Sequence, residues 1–400
     1  MNWNLALVNP INFGEPVPNT VDNAISWRYN EMEPVHLFQL YGHSRYLYDH
    51  RPSLAGFYSV SEVTIRDVAK AAGVGVGTVS RVLNNHPSVR ESTRKKVEEA
   101  IRALDYKPHR IARQLSLGKT SNIGVVAPFF IRPSSVERLR GVETILAEHK
   151  YDLVLYNVET KERRDQLFES LPRGDMFDGL LIFTLTPSDE EAERLLRGSV
   201  PVVLVDASHP QLNRVVIDDV LGGYMATKHL IDLGHERIAY ISDILESPFE
   251  HVGASSLRYR GYRNALAEAG LPFLPEYYRQ DQHGVPQARK MTHALLELTN
   301  PPTAIFAASD TQAIGVLQAA SERGIAVPEQ LSVIGFDDIE IAEFLKLTTI
   351  HQPLFTSGVE GAALLFQCIQ TSELTRKTNE IQLPLRLIER TTTAPPPTSI

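Results

Sequence analysis

Short unbroken apolar runs alternate with amphipathic stretches over most of this chain. NIGVVAPFF (122–130), YDLVLYNV (151–158), FDGLLIFT (177–184) and VPVVLVD (200–206) are rich in Val, Ile and Leu, with little polar alternation. Strands buried on both faces read this way, as in parallel sheets covered by helices. Between the first two, SVERLRGVETILAEHK (135–150) spaces its apolar residues at helical intervals. A second series follows with RIAYISD (237–243), AIFAASD (304–310) and LSVIGFDD (331–338). Repeated strand–helix alternation predicts an α/β, doubly wound core.

Upstream the pattern is purely helical. In TIRDVAKAAGVGVGTVSRVLN (64–84), Thr64 and Asp67 form a capping-box-like start, and Ile65, Val68 and Ala69 share one helical face. Gly73 can end that helix because it tolerates positive φ. Val79 and Val82 mark the buried stripe of a second helix and leave Thr78, Ser80, Arg81 and Asn84 outside. Two helices joined by a glycine turn predict a helix-turn-helix whose second helix enters the DNA major groove.

This stretch resembles the DNA-binding headpiece of the lactose-repressor (LacI) family. The resemblance continues through VRESTRKKVEEAIRALDYKPHRIARQL (89–115), similar to that family's third helix and hinge, and runs to about residue 392. It implies a small all-α helix-turn-helix headpiece at 63–107 and a hinge helix and linker at 108–120. A two-lobed, periplasmic-binding-protein-like doubly wound core would follow at 121–392. Lobe 1 would comprise about 121–220 and 352–380, and lobe 2 about 221–350 and 381–392. Residues 1–62 do not resemble the family and lack a sustained period, so they are expected to be disordered or to reflect a mis-assigned start, with Val60 as the alternative start. The Pro- and Thr-rich tail at 393–400 is expected to be disordered. The tail has no leucine heptads, which points to a homodimer rather than a tetramer.

Charge sharpens the division. Residues 60–119 hold 12 Lys and Arg against 6 Asp and Glu, whereas residues 120–400 hold 25 against 37. A basic module on an acidic body suits a DNA reader coupled to a separate sensor. The single cysteine, Cys368, excludes an intrachain disulfide and lies in GAALLFQCIQ, an apolar helical stretch that would bury it. No run approaches a membrane span and no basic start precedes an apolar core, so a cytoplasmic protein is expected.

The resemblance places base contacts at Val76, Gly77 and Arg81. Arg81 is the strongest, since its planar fork can bond guanine O6 and N7. Thr78, Ser80 and Asn84 match phosphate-bonding positions, and Thr64 lies at a helix N-terminus that attracts anions. In the hinge, Leu115 matches the leucine that wedges into the minor groove, with Arg110 touching the backbone nearby. His109 and Gly75 depart from the residues common in the family, Asn and Ser. Double-stranded DNA with a pseudo-palindromic operator is the implied partner.

In the sensor, Arg258 stands three residues before Gly261, where relatives hold an effector hydroxyl or carboxylate. Asp310 matches the acid that bonds ligand hydroxyls. Asp206 ends a strand run on the side where open α/β sheets bind ligands. Phe129 could stack on a ring, and Gln282 with His283 falls in a loop that varies with ligand. A sugar or sugar derivative is the expected small-molecule effector. No cofactor, metal set or catalytic constellation emerges: Gly73, Gly75 and Gly77 follow a helix, not the strand that a dinucleotide site needs. The sequence thus points to a transcriptional repressor, not an enzyme. A solute-binding protein would leave 64–115 unexplained, and an α/β enzyme would need an acid–base set not found here.

Overall fold

The computed structural model describes residues 63–106, 119–171, 176–245, 253–371 and 378–397. Within it the chain divides into two units, Met1–Tyr106 and Lys107–Ile400. The first holds helices α1 (Ile65–Ala72), α2 (Val76–Leu83) and α3 (Glu91–Ala103). Val68, Ala69, Val79, Val82, Val97 and Ala100 close a small core between them. Asp67 Oδ2 accepts from the Thr64 amide at 2.9 Å, and Gly73 ends α1 at φ 65°. The latter is the left-handed geometry for which glycine is needed.

The second unit contains two six-stranded sheets. Sheet 1 joins β1 (Asn122–Pro128), β2 (Asp152–Val158), β3 (Gly179–Phe183), β4 (Val202–Val205), β5 (Asn213–Val216) and β11 (Glu380–Gln382) in the order β11-β5-β4-β3-β1-β2. Sheet 2 joins β6 (Ile238–Asp243), β7 (Tyr278–Asp281), β8 (Ala304–Ala307), β9 (Ser332–Asp337), β10 (Thr348–His351) and β12 (Arg386–Ile388) in the order β12-β10-β9-β8-β6-β7. Pairing is parallel except for β10 with β12.

Successive residues of the apolar runs serve opposite faces. In sheet 1, Val125, Leu181 and Val203 pack under α4 (Pro133–His149) and α12 (Leu354–Gln370). On the other face, Val126, Ile182 and Leu204 pack under α5 (Lys161–Ser170) and α6 (Asp189–Arg197). Sheet 2 is covered by α7 (Asp219–Asp232) and α8 (Ala254–Glu268) on one face. Its other face carries α9 (Val285–Leu296) and α10 (Asp310–Glu322). A short helix, α11 (Glu340–Phe344), follows β9. Cys368 is buried in α12. Among the described residues, no helix is long and apolar enough to cross a membrane.

Three expectations change. The run at 151–158 is only half-buried, because β2 is the edge of its sheet. The last return between lobes falls after Gln382 rather than at 380/381, since β11 pairs with β5 and only β12 joins sheet 2. Residues 393–397 are not a loose tail. Thr393 Oγ1 meets His229 at 3.0 Å, and the Ala394 amide donates to Ser332 Oγ at 3.0 Å. His235 Nε2 lies 2.9 Å from the Ala394 carbonyl. Burial holds the His229 and His235 pKa values below the ordinary one, so both rings fit this packed seam uncharged.

Candidate nucleic-acid interface and ligand cleft

Helix α2 presents its first turn outward. Val76 is 42% exposed although apolar, and Gly77 is also exposed. A Cβ added at Gly77 would meet nothing within 4 Å, so the protein's own packing does not require glycine there. Arg81 is exposed, while Thr78, Ser80 and Asn84 are half-buried along the same helix and its end. Thr64 is exposed at the start of α1. The structure therefore gathers Val76, Gly77, Thr78, Ser80, Arg81 and Asn84 on one short helix, with Val79 and Val82 fixed beneath. From α3, Arg94 donates to Asn85 Oδ1 at 3.0 Å and to the His86 carbonyl at 3.2 Å, anchoring the turn after α2. Arg110 and Leu115 lie outside the described residues.

If α2 docks closely on DNA, Gly77→Ala separates folding from binding. Helix propensity favours alanine by about 1 kcal/mol, so thermal stability should hold or rise while duplex affinity falls. Unchanged affinity by fluorescence anisotropy would remove close approach as the reason for glycine.

In the larger unit, the expected cleft residues gather at the carboxyl ends of the strands. Asp206 follows β4 at φ 56°, and its Oδ2 accepts from Arg138 Nη2 at 2.6 Å. Arg138 Nη2 also donates to Gln352 Oε1 at 3.0 Å, and Gln352 Nε2 donates to Asp337 Oδ1 at 2.5 Å. Asp337 lies 3.6 Å from Arg258 Nη1, and Arg258 Nε donates to Asp219 Oδ1 at 2.8 Å. The Arg258 guanidinium also sits 3.5 Å from the Phe336 ring centroid. One buried polar chain thus runs from lobe 1, through the crossover residue Gln352, into lobe 2.

Two of its arginines stand in the same local arrangement. Arg138 and Arg258 each precede a glycine by three residues, and each glycine marks a helix crossing. A Cβ on Gly141 would lie 2.1 Å from the Phe355 carbonyl oxygen, and one on Gly261 would lie 2.1 Å from that of Val220. Arg138, Asp337 and Gln352 were not singled out in the sequence. The visible trace of Arg138 was this repeated Arg-x-x-Gly spacing, whereas Asp337 and Gln352 had no local signature.

Asp310 lies behind the cleft wall. It is fully buried, and its oxygens accept from the Ile339 amide at 2.9 Å and Thr349 Oγ1 at 2.6 Å. Gln282 is exposed, whereas its neighbour His283 turns inward to Asp243 at 2.9 Å. Phe129 is half-buried at φ 46°, with the Arg132 guanidinium 4.4 Å from its ring centroid. Among the described residues, no group of three or more His, Cys, Asp or Glu could hold a metal ion.

Burial raises the Asp219 carboxyl to about 7, with Arg258 opposing the rise and Asp206 adding to it. Burial alone would lower Arg258, but the carboxylates of Asp219, Asp337 and Asp206 outweigh it and push it up. Folding therefore raises the proton affinity of Asp219 above that of an ordinary aspartate between 3.8 and about 7, and above that window it stands ionised against Arg258. Its contribution to stability is fully present below that window and is lost as pH rises through it. Asp219→Asn keeps an acceptor for Arg258, so the decline of melting temperature with pH across this range should become shallower. An unchanged slope would mean that Asp219 is ionised throughout.

The fold and these two regions define a DNA-binding regulator carrying a periplasmic-binding-protein-like sensor. The chain belongs to the LacI family of bacterial regulatory proteins. The pattern for "Bacterial regulatory proteins, lacI family" matches residues 64–109, and that for "Periplasmic binding protein-like domain" matches 227–393. Catabolite control protein A of Priestia megaterium is 35% identical over 335 residues, covering 83% of this chain and 99% of that protein. A lac repressor dimer bound to operator and the anti-inducer ONPF is 28% identical at a TM-score of 0.71, covering 83% of this chain and 99% of that one. A complex of the transcriptional regulator CelR with cellobiose is 30% identical at a TM-score of 0.60, covering 82% and 99%.

Proposed function

We propose that this protein is a cytoplasmic homodimeric repressor that binds a pseudo-palindromic operator and senses a sugar or sugar derivative between its lobes. The observation that carries the DNA half is the exposed first turn of α2, an apolar and a glycine position backed by Arg81 on a fixed core. Arg81 reads a guanine, Val76 touches a thymine methyl, and Gly77 lets the helix close on the groove. Thr64, Thr78, Ser80 and Asn84 bond phosphates and fix register. Arg110 and Leu115 act in the hinge, at the backbone and the minor groove.

The effector meets Phe129, Asp206 and Arg258, with Gln282 at the rim and Asp310 bracing the wall behind. Its binding shifts the lobes relative to each other, and the shift alters whether two hinges pair over one operator. A second subunit would cover apolar surface that the single chain leaves open, such as Ile341 and Phe344, 40% and 80% exposed on α11. Relatives bear on the ligand class, since CelR is seen with cellobiose and an Enterococcus faecium regulator with ribose.

Selection of duplexes from a random pool on the purified chain tests this, with affinities then measured in the presence of a sugar and nucleoside panel. Enrichment of a palindrome is expected, with one compound changing its affinity. Arg81→Ala should relax preference at one base pair by roughly 1–3 kcal/mol. Absence of enrichment at low salt would overturn the DNA half.

A further inference from the structure

Asp243 ends β6 at the cleft, and the mechanism above makes no use of it. Its Oδ1 accepts two hydrogen bonds, from His283 Nδ1 at 2.9 Å and from Gln312 Nε2 at 2.9 Å. These donors come from the loop before α9 and from the first turn of α10, so two separate elements fix the carboxylate. Its Oδ2 is turned to the other lobe, 3.8 Å from Arg132 Nη1. Asp243 and Arg132 keep 28% and 31% of their side-chain surfaces exposed, so the pair remains open to solvent and ligand.

We propose that Asp243 selects an uncharged, hydroxyl-bearing effector over a phosphorylated or carboxylated one. A ligand hydroxyl inserted between the lobes donates to Asp243 Oδ2 and accepts from Arg132, because one hydroxyl does both. A phosphate or carboxylate can only accept at that point. It would meet the Asp243 charge at close range and compete with it for Arg132.

The other cleft arginines offer an anion no better place. Arg138 is matched by Asp206 at 2.6 Å, and Arg258 by Asp219 at 2.8 Å and Asp337 at 3.6 Å. Above about pH 7, where Asp219 is ionised, each of these arginines already faces carboxylate, and the comparison of ligands belongs there. A neutral ligand leaves that balance intact and needs only hydrogen bonds, which a polyhydroxyl compound supplies. The inference rests on the proposed effector role of the cleft and narrows its ligand class.

The test uses the full-length chain and thermal-shift titration with D-ribose, D-glucose, cellobiose and uridine, against ribose 5-phosphate, glucose 6-phosphate, glucuronate and uridine monophosphate. The native chain is expected to respond to a neutral compound and to bind its anionic counterpart at least tenfold more weakly. Asp243→Asn should weaken the neutral ligand roughly tenfold, the loss of a charged acceptor, and shrink the discrimination against the anion. His283→Ala removes one of the two donors to Oδ1 but keeps the charge, so it should weaken binding while discrimination persists. That contrast separates the charge from its positioning, and the native chain's own preference between each neutral compound and its anion still tests the proposal if a variant folds poorly.

A native chain that prefers the anionic partner overturns the proposal. So does an Asp243→Asn variant with unchanged selectivity. A folded chain that responds to no compound overturns it together with the sugar-effector reading. Duplex selection without ligand reports separately on DNA binding.

Discussion

Gly261→Ala is expected to destabilise the sensor by about 3 kcal/mol, the upper end of the usual cost of overpacking a core. The added methyl would sit 2.1 Å from the Val220 carbonyl oxygen and 2.5 Å from the Tyr224 amide nitrogen, both backbone atoms of α7. Backbone cannot rotate away as a side chain can, so α7 and α8 must separate. The reciprocal contact is just as close, with a Cβ on Gly223 lying 2.1 Å from the Arg258 carbonyl oxygen. Alanine's better helix propensity returns only about 1 kcal/mol.

Separation also reaches the cleft. Arg258 and Asp219 sit on these two helices and are joined at 2.8 Å. An ångström of displacement would break that bond and leave two buried charges poorly matched. Urea unfolding should therefore show a lower midpoint for Gly261→Ala together with weaker ligand binding. Gly141→Ala, at the matching crossing of α4 and α12, should behave alike. Gly77→Ala, which meets open space, should not. A Gly261→Ala variant within 1 kcal/mol of the native chain would mean that the helices can part freely there.

What the sequence disclosed and what it hid divide by range. The turn from α1 to α2 was legible because Thr64, Asp67 and Gly73 act within a few residues of one another. Strands β1, β3, β4, β6, β8 and β9 were legible because each carries its apolar residues on both faces. Short edge strands such as β7 carry half-buried residues and no such signature. The boundary near residue 382 depends on which sheet edge takes each of two three-residue strands, and local pattern does not determine that. Asp206 drew notice as a strand-end acid, but Arg138 is 68 residues away and Gln352 a further 214 from Arg138. Pairings at such separations have no local periodicity. Asp310 was noticed by likeness, while its bonds to Ile339 and Thr349 arise only when β9 and β10 close against α10.

The second large effect is expected at Arg138. Arg138→Met keeps most of the side-chain volume but leaves Asp206 buried without its cation, and it also removes the donor to Gln352. Breaking a buried pair from one side costs about 3–5 kcal/mol. The Nε of Arg138 is already buried without a partner, so its loss recovers a little of that cost. Removing both charges, as Arg138→Met with Asp206→Asn, should restore much of the stability, because no orphaned charge remains and asparagine tolerates the φ of 56° at that position.

Restored stability need not restore the link between lobes. Gln352 would then hold Asp337 alone, and the polar chain would end at the crossover. In a double-mutant cycle, a large coupling between Arg138 and Asp206 is expected from urea unfolding. If the chain sets the relative positions of the lobes, the stable double variant should still show a reduced effect of ligand on duplex affinity. Full ligand response in that variant would assign the chain to stability alone and place the conformational coupling elsewhere in the crossovers.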